Sequence, residues 1–160
     1  MNSNAVIEET EPAWLDQLEP PELLIVLAGR QMQDMMNAEL RRHGLKLVEW
    51  RILQGLKPGG TVTICDLAEM AVADRTVASR LVDKLSERGL LLKKALKTDR
   101  RFAQVSLSAM GRKLLDAAEP DVRQARERLF AGMSFGEANA LNKTLMKFIS
   151  NTKLNSRARR

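Results

Sequence analysis

From Thr63 to Leu107 the chain spells out short helix, tight turn, longer helix and two short strands, with a capping or breaking residue at each boundary. Thr63-Ile-Cys-Asp66 resembles a capping box with a shorter acid than the usual Glu or Gln, and it opens a helix to about Met70. Four residues later, Asp74 is a good N-cap for a helix from Arg75 to Arg88, which Gly89 closes. Strands over Leu90–Ala95 and Phe102–Leu107 follow, joined by the polar turn Leu96-Lys-Thr-Asp-Arg-Arg101. Few folds accept that order. It is the order of a winged helix-turn-helix, so the expected fold is mostly α with a small β-wing.

The flanking segments are helical. From Pro21, a good first-turn residue, to His43 the pattern continues until Gly44 stops it. Apolar side chains wrap almost the whole circumference there, among them Leu23, Val26, Leu27, Met32, Met36 and Leu40. A helix apolar on every side must be covered from more than one direction, and a second subunit is the natural cover in a chain of 160 residues. Val48 to Leu56 reads as a short helix stopped at Lys57-Pro58-Gly59-Gly60. Ser108 caps a long helix to about Phe130, and Ser134-Phe-Gly-Glu137 is a capping box for a last one, roughly Phe135 to Thr152. The first, fifth and sixth helices are the expected dimerisation region. Residues 1–19 read as a flexible acidic leader and 153–160 as a disordered basic tail.

Composition narrows the class of partner. The net charge is +6, yet six of the 20 acids (Glu8, Glu9, Glu11, Asp16, Glu19 and Glu22) precede every Lys and Arg, leaving 26 basic against 14 acidic residues in the remainder. That balance suits a polyanion, although solubility alone would also explain it. No run approaches the ~18 apolar residues of a membrane span. The N-terminus lacks the basic-then-apolar build of a signal peptide, and one cysteine excludes an internal disulfide. The expected compartment is the cytoplasm.

The helix 75–88 divides its faces. Val77, Leu81 and Leu85 share one stripe with Ala78 beside them, while Thr76, Ser79, Arg80 and Asp83 lie opposite and Arg75 borders them. Its exposed N-terminal half thus offers Arg75, Thr76, Ser79 and Arg80, and the acids Asp83 and Glu87 sit toward the other end. A recognition helix enters the major groove N-terminus first, where Arg forks to guanine and Thr or Ser meets base or phosphate. An ordinary amphipathic surface helix has similar faces. The ribbon adds Lys93, Lys94, Lys97, Arg100 and Arg101 with a single acid, Asp99, which can orient an arginine toward a minor groove. A solvated hairpin is the alternative.

These stretches resemble the multiple-antibiotic-resistance regulator (MarR) family. Leu45 to Leu53 looks like its passage into the second helix, Asp66 to Leu90 its helix-turn-helix, Thr98-Asp-Arg-Arg101 its wing signature, and Leu107-Ser-Ala-Met-Gly111 its passage into the fifth helix. The similarity covers roughly 22–152, within a domain at 20–152: a DNA-binding lobe at about 46–108 and dimerisation helices at 21–43 and 109–152. It implies a homodimer on a pseudo-palindromic double-stranded DNA operator. Asp99 and Arg101 would act together, with Arg101 in the minor groove. It also implies transcription regulation, mostly repression, often relieved by a small aromatic or anionic effector. Two positions depart from the pattern: Lys46 stands where a capping Thr or Ser is common, and Ser108 replaces Thr.

Effector-binding candidates are Arg30 and Trp50. Arg30 falls inside the apolar stripe of the first helix, one turn before Asp34; it either meets a carboxylate effector or pairs with Asp34. Trp50 either lines the same crevice or is core. Cys65 in a helix first turn is the one candidate thiol switch, without a resolving partner. The lone His43 and lone cysteine are far apart, so no metal site or other cofactor is expected. Gly59-Gly60 lacks the phosphate-loop spacing and no nucleophile–base pair stands out, so an enzyme is not expected. A winged-helix protein-interaction module without sequence-specific DNA binding is the alternative, and the five basic wing residues weigh against it.

Overall fold

The computed structural model describes residues 20–59, 62–95 and 103–157. The elements run α1 (Pro21–Leu40), a 3-10 turn (Arg41–His43), α2 (Leu47–Gly55), β1 (Val62–Thr63), α3 (Ile64–Ala71), α4 (Arg75–Glu87), β2 (Leu91–Ala95), β3 (Ala103–Leu107), α5 (Ala109–Leu129) and α6 (Phe135–Arg157). This is the expected winged helix-turn-helix with four further α-helices among the described residues. The leader 1–19 and the wing turn carrying Lys97, Asp99, Arg100 and Arg101 lie outside the described residues.

The boundaries follow local chemistry. Pro21 sits in the first turn of α1, where its missing N–H costs nothing, and Gly44 takes a left-handed φ of 65° after the 3-10 turn. Asp66 completes the box at α3 despite its short side chain: its N–H donates to Thr63 Oγ1 (3.2 Å), and its carboxylate accepts the Thr63 N–H (3.1 Å) and hydroxyl (2.7 Å). The hydroxyl and then the backbone N–H of Thr63 hold that carboxyl below the usual range. Lys46 has no acceptor to cap α2, and two other residues replace it. Asn37 Oδ1 on α1 accepts the Leu47 N–H (2.7 Å), and Glu49 reaches back to the Lys46 N–H (2.9 Å). The expected tail from Lys153 is helical through Arg157, since nothing between Thr152 and Arg157 breaks a helix.

The sheet has a third strand absent from the two-strand expectation. Its order is β1-β3-β2, antiparallel throughout, with Leu91 opposite Leu107, Lys93 opposite Val105, and Val62 on the other side of Val105. A two-residue strand leaves no periodicity to read.

One core joins the C-terminal half of α1 to α2, α3, α4, α5 and the wing base, centred on Leu40, Ile52, Leu53, Leu67, Val82 and Leu115. Each such side chain stabilises the fold by roughly 1.5–3 kcal/mol on burial. Leu23, Leu24, Val26 and Leu27 at the start of α1 take no part and stand exposed. Nor does α6: Phe135 is 88% exposed, and Met146, Phe148 and Ile149 are open as well.

Candidate nucleic-acid interface

Helix α4 is held by contacts on its inner side and free on its outer one. Ala78, Val82 and Leu85 are fully buried. That stripe differs from the expected one, which began at Val77. Val77 is 42% exposed and Leu81 half-buried, because the seam against α3 and β2 follows 78-82-85. On the outer side Arg75, Thr76 and Arg80 are exposed and Ser79 is half-buried, as the sequence places them. Neither Arg75 nor Arg80 forms an ion pair among the described residues. The acids beside this surface are engaged: Asp74 caps the helix, accepting the Val77 N–H at 2.9 Å, and Asp83 pairs with Lys93.

Four contacts fix how α4 is presented. Glu49 on α2, with its side chain 2% exposed, receives Lys84 Nζ at 3.2 Å and Arg88 NH1 at 3.7 Å. Arg88 also donates to the Gly44 carbonyl (2.9 Å), so the far end of α4 is moored to the α1–α2 junction. On the wing side, Lys93 Nζ meets Asp83 Oδ1 at 2.6 Å. Lys93 therefore neutralises an acid of the recognition helix itself. Sequence reading missed Glu49 and Asn37, although the spacing Lys46-x-x-Glu49 is half of a capping box.

The turn between α3 and α4 carries Val72 in the left-handed region (φ 54°, ψ 51°), 79% exposed. A β-branched residue there is strained by about 1–2 kcal/mol. The wing closes onto α5 through Ser108, whose hydroxyl donates to the Gly89 carbonyl (2.6 Å) and accepts the Gly111 N–H (2.9 Å). Ser108 thus caps as the more usual Thr would.

The two effector candidates do not come together. Trp50 is 5% exposed and borders a cavity of about 350 Å³ with Met32, Met36, Gln54, Arg126 and Phe130. Gln54 Oε1 is buried without a hydrogen-bond partner among the described residues. Arg30 is exposed on α1, does not line that cavity, and forms no ion pair with Asp34. Cys65 is exposed in the first turn of α3. His43 Nε2 contacts Asp121 Oδ2 at 2.8 Å, joining the end of α1 to α5.

A capped, outward-facing helix with unpaired cations, set beside an antiparallel wing, defines the chain as a winged helix-turn-helix DNA-binding protein. The sequence profile of the MarR family matches residues 43–101. The transcriptional regulator MhqR of Bacillus subtilis is 30% identical over 135 residues, covering 82% of this chain and 92% of its own. Two solved structures share the fold. BpsR of Bordetella bronchiseptica, studied for regulation of its DNA binding by 6-hydroxynicotinic acid, superposes with TM-score 0.75 at 22% identity over 81% of this chain and 98% of its own. A mutant MarR from E. coli complexed with operator DNA gives 0.74 at 17% identity over 86% and 99%. The chain belongs to the MarR family and is a DNA-binding transcription regulator.

Proposed function

We propose that the protein represses transcription as a homodimer on pseudo-palindromic promoter sites and is released by a small aromatic or anionic compound. The observation that carries this reading is the outer N-terminal half of α4, where Arg75, Thr76 and Arg80 are exposed and, among the described residues, neither arginine is in an ion pair. Arg75, Thr76, Ser79 and Arg80 choose bases. Lys97, Arg100 and Arg101 meet phosphate and minor groove, with Asp99 orienting Arg101. The lobe at about 46–108 reads DNA while helices 21–43 and 109–152 form the dimer base. The acidic leader 1–19 and the residues beyond 152 flank that domain.

The exposed apolar residues of α1 and α6 support the dimer, since a monomer seldom leaves so many large side chains open. The cavity beside Trp50 suits the effector: a tryptophan and a phenylalanine for an aromatic ring, and Arg126 for an anion. Arg30 joins that reading only across the dimer interface. Among the described residues no helix is long and apolar enough to cross a membrane. The work proposed is cytoplasmic and needs neither catalysis nor a cofactor.

The test is selection from random duplexes at several salt concentrations. A palindrome should be enriched, with affinity falling steeply as salt rises. Arg101→Ala should weaken binding across sequences while fold and dimer survive; unchanged affinity would remove the wing from the interface. Weak binding that enriches nothing would refute sequence-specific regulation. Quenching of Trp50 emission by hydroxylated aromatic acids, with Arg30→Ala still binding DNA but losing release, checks the effector.

A further inference from the structure

Val77 stands out on the reading face of α4 because no packing among the described residues requires an exposed valine there. We infer that Val77 selects thymine, its two methyl groups packing against the 5-methyl group of a thymine in each half-site. The inference rests on the DNA-reading role of α4 proposed above.

Geometry supports this in three ways. First, Val77 occupies the third position of α4, in the turn that penetrates deepest when a recognition helix enters the groove N-terminus first. It precedes Arg80 by three residues, so the two are neighbours on the helix surface. Second, the later residues on its own flank are engaged elsewhere: Leu81 is half-buried and Lys84 is tied to Glu49. Val77 is therefore the apolar group of that flank that reaches outward. Third, it is fixed before DNA arrives. Its N–H is bonded to Asp74 Oδ1, and a β-branched side chain in a helix holds essentially one rotamer, so little freedom is lost on contact.

The ligand chemistry follows from the groove. Among the bases only thymine presents a methyl group on the major-groove edge, where cytosine has a bare C5–H and the remaining features are donors or acceptors. Arg75, Thr76, Ser79 and Arg80 supply polar partners, and Val77 has neither a hydrogen bond to give nor one to take. Thr76 alone beside it carries a competing methyl.

The experiment uses the full chain and the duplex it selects. Each thymine in turn, symmetrically in both half-sites, is replaced by deoxyuridine, which deletes the methyl and keeps every hydrogen bond. At one position the wild type should lose about fourfold in affinity per half-site, the ratio for one methyl withdrawn from apolar contact. Val77→Ala should bind the thymine duplex more weakly and lose nothing further on that replacement. Its thermal midpoint is measured alongside, and alanine favours the helix.

If deoxyuridine is tolerated at every position, or the selected half-site contains no thymine, the inference falls while sequence-specific binding stands. It also falls if Val77→Ala keeps its sensitivity and Thr76→Ser loses it, which would assign the methyl to Thr76. If no sequence is selected at all, the regulatory reading beneath it fails too.

Discussion

Single atoms decide several junctions of this fold. Gly111 is the sharpest case: a Cβ there would lie 2.2 Å from the Leu90 carbonyl oxygen and 2.9 Å from Leu107. Backbone cannot yield as a side-chain tip can, and that same carbonyl already accepts the Ser108 N–H at 3.1 Å. Gly111→Ala should therefore destabilise by about 1–3 kcal/mol, read as a lower urea midpoint with unchanged slope. The glycine is plainly visible in the sequence. What makes it necessary is not, because Leu90 lies twenty-one positions earlier and only folding brings its carbonyl close. Val77 teaches the converse. Its place in an apolar stripe was legible from helical spacing, but the stripe had two registers, and packing against α3 and β2 selected the one that leaves it outside.

Helices and strands were easier to anticipate because their ends carry their own signals. Thr63, Asp74, Ser108 and Ser134 each start the element their spacing foretells. Strand β1 and the Asn37 cap of α2 were not legible: the first is too short to repeat, and the second comes from another helix. The capping box of α6 has a consequence in acid. The Ser134 N–H, then its hydroxyl, hold the Glu137 carboxyl below its ordinary value of 4.5. The unfolded chain therefore binds this proton more tightly. The contribution to stability is complete above the ordinary value and disappears as pH falls through the lowered folded one. Glu137→Gln should flatten the fall of stability with pH below 4.5, measured by urea titration in steps of pH. Between elements, Glu49→Gln should loosen α4 from α2. A loss of about 1–3 kcal/mol is expected, with weaker operator binding even where the fold persists. Equal operator affinity at matched folded fraction would show that the tie does not position α4.

For the whole molecule, the described core closes without α6 or the first half of α1, and more than half of the exposed large apolar side chains among the described residues lie on those two helices. Val26→Glu should place a charge on that face at little cost to the single chain. It should convert dimer to monomer in sedimentation and abolish binding to a full palindrome more than to a half-site. A variant that stays dimeric would place the interface elsewhere. The two sides of α2 carry a mechanical implication. Trp50 turns into a cavity while the preceding residue, Glu49, grips the recognition helix. Consecutive residues on one rigid helix cannot move independently, so a molecule wedged against the tryptophan would work a lever whose other arm is α4. A small rotation there changes the distance between two reading heads, and on DNA of fixed pitch a dimer out of step cannot seat both at once.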